Sequence, residues 1–106
     1  MMKIYIVDTT RKLKKIKREL EREFHIETKE NTNFKMTKND YVIFSNEVGT
    51  MEGLEKLKNI FFLTENKEYR FVWQIITQYK VIDVIDNQSD ETYIANRIAM
   101  KLRRIA

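Results

Sequence analysis

Short apolar runs alternate with amphipathic stretches along the whole chain. Lys3 to Val7 (KIYIV), Tyr41 to Phe44 (YVIF), Ile60 to Leu63 (IFFL) and Val81 to Ile85 (VIDVI) are brief and nearly all apolar or aromatic. Runs of this length, bounded by polar residues, predict strands, and unbroken apolar character predicts burial on both faces of a parallel sheet. His25 to Lys29 alternates weakly and reads as a further strand, second in chain order. Between the strands the period changes. Leu13, Ile16, Leu20 and Phe24 form one apolar stripe, which predicts a helix from about Thr10 to Phe24. Val72, Ile75, Ile76 and Tyr79 predict a helix over Lys67 to Tyr79, and Ile94, Ile98, Leu102 and Ile105 predict one from about Asp90 to Arg104. A shorter helix is expected from about Met51 to Lys58, capped by Thr50, with Leu54 and Leu57 inward. Glu30 to Asp40 lacks periodicity and reads as loop, with at most one helical turn around Phe34 and Met36.

Five strands interleaved with helices imply right-handed crossovers and a parallel sheet. The expected architecture is α/β: a three-layer flavodoxin-like sandwich of five parallel strands in the order 2-1-3-4-5. The strongly apolar first and third strands are then central, and the second helix is short or missing. Residues 1–106 form a single domain in this reading. In such sheets ligands bind at the strand C-terminal ends. The residues there are Asp8, Thr9, Ser45, Asn46, Thr64 and Asp86.

Composition removes several chemistries. The chain has no cysteine, which excludes disulfides, thiolate metal sites and cysteine nucleophiles and fits a reducing, cytoplasmic setting. Only two glycines, Gly49 and Gly53, are present, so no glycine-rich phosphate loop can be written. No apolar run reaches transmembrane length, so no membrane partner is expected. Ser45 has no histidine close in sequence to activate it, since His25 is the only histidine. A metal site from Asp8, Asp83 and Asp86 would need the two later carboxylates to converge across a strand end, so no metal or cofactor is expected.

The segments IYIVDTT, YVIFSNEVGTMEGLEKLKN and IFFLTEN resemble the response-regulator receiver (CheY-like) family over nearly the full chain. The middle segment resembles that family's third strand, active-site loop and start of third helix, and is the most specific of the three. The resemblance implies two acidic residues after strand one, an aspartate that accepts phosphate after strand three, a hydroxyl after strand four and a lysine after strand five. Here Asp8 is followed by Thr9, and the acceptor position falls on Ser45 or, with a one-residue slip, on Asn46. Thr64 matches the hydroxyl, while Ile85, Asp86 and Asn87 replace the lysine. One carboxylate holds magnesium poorly, and without an acceptor carboxylate no acyl phosphate forms. The expectation is a degenerate pseudo-receiver, not an enzyme, that does not use aspartyl phosphorylation.

Two surfaces remain as candidates. On the helix over Lys67 to Tyr79, the residues Tyr69, Phe71, Trp73 and Ile76 widen the apolar surface beyond one buried face. In receiver-like domains the fourth helix, fifth strand and fifth helix form the usual dimerisation and output face. The expectation is therefore a protein partner, a homodimer through that face. The alternative is nucleic acid on a basic stripe formed by Arg11, Lys14, Lys15 and Arg18 of the first helix with Lys101, Arg103 and Arg104 of the last. The formal charge of +4 is small for that role, and Glu19, Glu21 and Glu23 dilute the first helix. A third reading places a small ligand at the strand ends. The chain stops still in helix at KLRRIA, where a linker to an output domain would begin, so it reads as a standalone protein or as the first module of a longer one.

Overall fold

The structure is a computed structural model that describes residues 2–7, 13–46 and 51–105. Five strands, β1 (Lys3–Val7), β2 (His25–Lys29), β3 (Tyr41–Ser45), β4 (Ile60–Thr64) and β5 (Val81–Asp86), form one parallel sheet in the order β2-β1-β3-β4-β5. This is the order expected from the apolar runs. Every residue of β3 and β4 is buried, and β1 is buried from Ile4 onward, so the three most apolar strands are the interior ones. The edge strands β2 and β5 are only partly covered.

Alternation sends the side chains of each interior strand to two separate cores. On one side Ile4, Ile6, Ile43, Phe61, Leu63 and Ile85 meet α1 (Lys14–Leu20) and α3 (Glu91–Ile105). The stripe of Leu13, Ile16 and Leu20 packs there against Ile94, Ile98 and Leu102. On the other side Tyr5, Val7, Val42, Phe44 and Phe62 meet Leu54, Leu57 and Ile75. Phe44 and Phe62 stack across β3 and β4 with ring centroids 5.6 Å apart. Among the described residues this second side carries one α-helix, α2 (Tyr69–Gln78).

The second side also departs from expectation. The helix expected over Met51 to Lys58 is only a 3-10 turn, Leu54–Lys56. Its entry residue Gly53 sits in the left-handed region at φ 83°, and Leu57 is already extended, so no α-helical run can develop. Leu54 and Leu57 are nevertheless buried. No helical turn forms at Phe34 and Met36. Phe34 instead lies on the Tyr5 ring at 4.6 Å, and Met36 packs onto the same core, so irregular backbone covers the sheet where a second helix is missing. Asn59 joins two strand starts in a left-handed conformation, φ 54°, donating from Nδ2 to the Asp40 carbonyl at 2.8 Å while its own carbonyl accepts from Val42 N at 3.0 Å. The first helix ends at Leu20 rather than Phe24. The chain turns on with Phe24 N donating to Leu20 O at 2.9 Å, and Phe24 still joins the α1 side of the core. Its expected start, with Thr10, Arg11 and Lys12, lies outside the described residues, as do Asp8, Thr9 and Thr50. Among the described residues no helix is long and apolar enough to cross a membrane.

Candidate functional site

The parallel strands deliver their C-terminal ends to one edge of the sheet, but among the described residues they do not gather Ser45, Asn46, Thr64 and Asp86 into one pocket. Ser45 is buried and lines a cleft of about 330 Å³ on the α1 and α3 side, with Leu13, Ile16, Leu63, Asn87, Glu91 and Ile94. Asn46 turns to Thr64 instead: its Nδ2 donates to Thr64 Oγ1 at 2.9 Å. The same hydroxyl oxygen accepts from Asn66 N at 3.0 Å. Of the two residues that the acceptor position could fall on, Asn46 is thus the one facing the strand-four hydroxyl. An amide there donates a hydrogen bond and cannot form an acyl phosphate.

Asp86 ends β5. Lys67, from the loop after β4, places Nζ 2.6 Å from Asp86 Oδ2, and Gln88 N donates to Oδ1 at 2.9 Å. The Lys67 ammonium first, and the Gln88 amide second, hold the Asp86 carboxyl below its usual range. Where the receiver resemblance implies a lysine after strand five, an aspartate stands at that strand end and a lysine reaches it from the neighbouring loop. The spacing of Lys67 and Asp86 in sequence gave no sign of this pair. Asp83 and Asp86 do not converge either. Asp83 is held by Arg97 of α3, with Nε and Nη2 donating at 2.8 Å each. Among the described residues no three His, Asp or Glu side chains lie together as a metal site would require. Asp8 and Thr9 lie outside the described residues.

The aromatic helix is clearer. Ile75 is 2% exposed and faces the sheet, whereas Tyr69 and Trp73 are 78% and 57% exposed. Their rings stack at 6.4 Å and 11° on the outside of α2, with Ile76 exposed beside them. Phe71 separates from this group. It is half-buried and meets Phe62 at 6.3 Å, so it belongs to the core side of the helix.

The basic residues of α1 and α3 lie on neighbouring helices that pack together. Lys14, Lys15, Arg18 and Arg104 are exposed and Lys101 is half-buried. Arg103 is engaged internally, donating from Nε to Glu23 Oε2 at 2.8 Å, and it lowers the Glu23 carboxyl. Arg22 pairs with Glu19 at 3.3 Å. Arg11 lies outside the described residues. The outer face of α3, where Tyr93 and Met100 are exposed alongside Arg97 and Arg104, is not singled out from the sequence. Their spacing of seven residues on a helix was available as a signal.

No protein-family model and no curated protein matches the chain. Solved structures do. A response regulator from Colwellia psychrerythraea is similar over 97% of this chain and 97% of its own, with a TM-score of 0.69 and 12% identity. A fusion chain that carries the yeast Spc42 trimeric coiled coil, amino acids 181–211, is similar over 99% of this chain and 80% of its own, with a TM-score of 0.69 and 16% identity. At these identities the likeness is one of fold, and the fold is receiver-like.

Proposed function

We propose that this is a receiver-like signalling or assembly domain that works by protein contact, without catalysis and independently of aspartyl phosphorylation, and that it self-associates through the face built by α2, β5 and α3. The exposed Tyr69–Trp73 stack carries the reading. A ten-residue helix that buries Ile75 leaves two stacked rings and Ile76 in solvent. Rigid aromatics of this kind supply contact area at little entropic cost and are enriched at interfaces. The loop before α2 bears Glu65 and Glu68, while α3 bears Arg97, Lys101 and Arg104, and β5, the sheet edge, touches both helices. A two-fold axis at that edge would bring Glu65 and Glu68 of one copy toward the basic α3 of the other, each contact occurring twice as in any isologous dimer. At the strand ends, Asn46 where a carboxylate would be needed and Asp86 where a cation would be needed support independence from phosphorylation.

Sedimentation velocity over a concentration series tests this. A dimer that Trp73→Ala or Tyr69→Ala weakens is expected. A protein that stays monomeric at high concentration overturns the reading.

A second reading, nucleic-acid binding, rests on the exposed Lys14, Lys15 and Arg18 of α1 by themselves: α1 and α3 run parallel, so the start of α1 meets Glu91 and Ile94, and the basic end of α3 lies beside Glu23. It predicts salt-dependent retention on DNA or RNA that is lost when those three charges are reversed. No retention at low salt removes it.

A further inference from the structure

The cleft that Ser45 lines between the starts of α1 and α3 has a volume of about 330 Å³, near the lower end for ligand pockets. Among the described residues its other walls are the apolar Leu13, Ile16, Leu63 and Ile94, with Asn87 and Glu91 as polar members. One atom here is out of balance. Asn87 Nδ2 is buried and finds no hydrogen-bond partner among the described residues. The rest of Asn87 is engaged: its backbone N donates to Thr64 O at 3.1 Å, and its Oδ1 accepts from Gln88 Nε2 at 3.3 Å. The amide is therefore oriented with its oxygen used and its donor spare. A buried donor without an acceptor is costly, and folded proteins leave few of them. Alternation turns Ser45 and Leu63 to the α1 and α3 side and Thr64 to the other, so the cleft is separate from the Asn46–Thr64 pair.

We propose that this cleft binds a small uncharged amide, a lactam or secondary amide with a compact hydrocarbon part. The ligand carbonyl would accept from Asn87 Nδ2, and its N–H would donate to the Glu91 carboxylate. The hydrocarbon would lie on Leu13, Ile16, Leu63 and Ile94. Other classes match less of the site. An anion would face Glu91, with no lysine or arginine lining the cleft among the described residues. An ammonium would suit Glu91 but has only donors, which leaves Asn87 Nδ2 unpaired. A hydrocarbon leaves both polar groups unpaired. Water reaches the donor, but each water needs two to four polar partners and four of the walls are apolar. This inference does not rest on the contact-module reading.

The test is an NMR titration of the whole protein with ε-caprolactam, followed at the Asn87 side-chain amide and at the Leu13, Ile16 and Ile94 methyl groups. Saturable shifts at all of these are expected. Cyclohexanecarboxylate, an anion of similar size, should bind at least about tenfold more weakly. Asn87→Leu should weaken caprolactam binding by about tenfold, because it removes the donor. Glu91→Gln keeps an acceptor and removes the charge, so it should still bind caprolactam and should now admit cyclohexanecarboxylate. Thermal melting checks that both variants are folded. No binding overturns the proposal, as does equal binding of the two probes or unchanged binding in Asn87→Leu. A long-lived water at Asn87 Nδ2 that caprolactam does not displace also overturns it and assigns the cleft to structural water. Trp73→Ala should leave the titration unchanged, so failure of the cleft and failure of the α2 dimer read out separately.

Discussion

Lys67 Nζ and Asp86 Oδ2 lie 2.6 Å apart across the ends of β4 and β5. The pair places an acid at the strand-five end and brings the cation from the adjacent loop. Replacing Lys67 by Met removes the first cause of the lowered Asp86 carboxyl, so its titration should move upward toward the ordinary aspartate value, as followed by carboxyl-carbon NMR. An unmoved titration curve would show the contact to be absent in solution.

Asp86, Glu23 and Glu27 are all held below their ordinary values, by Lys67, by Arg103, and by Lys29 with Lys3. A carboxyl lowered in the folded state stabilises it fully above the unfolded pKa. That contribution is lost as pH falls through the folded pKa. Stability should therefore decline only below about pH 4–5, and added salt should flatten the decline because all three groups are solvent-accessible. Urea midpoints measured from pH 3 to pH 7 at low and high salt check this. A decline centred above pH 6 would contradict it.

Arg97 and Asp83 form a better-shielded pair, with the Asp83 side chain 10% exposed and the Arg97 side chain 37% exposed. Asp83 draws the Arg97 guanidinium still further toward its charged form. Arg97→Ala strands a largely buried carboxylate and should cost about 1–3 kcal/mol. Arg97→Ala combined with Asp83→Leu should recover part of that loss. Denaturant unfolding of the four members of the cycle measures it, and a double-variant loss equal to the sum of the two single losses would show the pair to be uncoupled.

The strands, their order and the two-core division were legible because interior strands of a parallel sheet need only be short and apolar. Lys3–Val7, Tyr41–Ser45 and Ile60–Thr64 meet that condition without help from distant residues. The second side of the sheet was harder. A glycine at φ 83° converts an apparent helix at Met51 to Lys58 into a 3-10 turn, and Phe34 covers the sheet from irregular backbone that has no period to read. Pairs that define the strand ends were hidden for a different reason. A register shift in β5 sets Asp83 opposite Phe61 and brings it to Arg97, and the choice between Ser45 and Asn46 turned on one hydrogen bond to Thr64. None of these follows from local spacing.

Gly53 and Thr32 show how the irregular side is held. Thr32 Oγ1 donates to the Glu52 carbonyl, and a Cβ on Gly53 would collide with that hydroxyl. Gly53→Ala thus meets both a left-handed backbone and a steric clash, and should destabilise by about 1–3 kcal/mol. Adding Thr32→Ala should relieve only the steric share. Thermal melts of the two single variants and the double separate the contributions, and a Gly53→Ala protein as stable as the parent would rule out the turn geometry.

Asn46 bears on the phosphorylation question directly. Its Nδ2 occupies Thr64 Oγ1 at 2.9 Å, and its amide carbon offers no carboxylate for an acyl phosphate. Incubation with acetyl phosphate and magnesium should leave the intact mass unchanged. A phosphoryl adduct that maps to Asp8 or Asp86 would overturn independence from aspartyl phosphorylation. Asn46→Asp provides the matched control, because it restores a carboxylate beside Thr64 at almost the same volume. It exchanges a donor for an acceptor against an oxygen that already accepts from Asn66 N, so the Thr64 hydroxyl must reorient to donate. If that variant takes up phosphate and the parent does not, the missing carboxylate is the barrier. If neither does, the lone Asp8 followed by Thr9 and the Lys67–Asp86 arrangement at the end of β5 are the further barriers, and adding Thr9→Asp or Asp86→Lys to Asn46→Asp separates them by which variant gains the adduct.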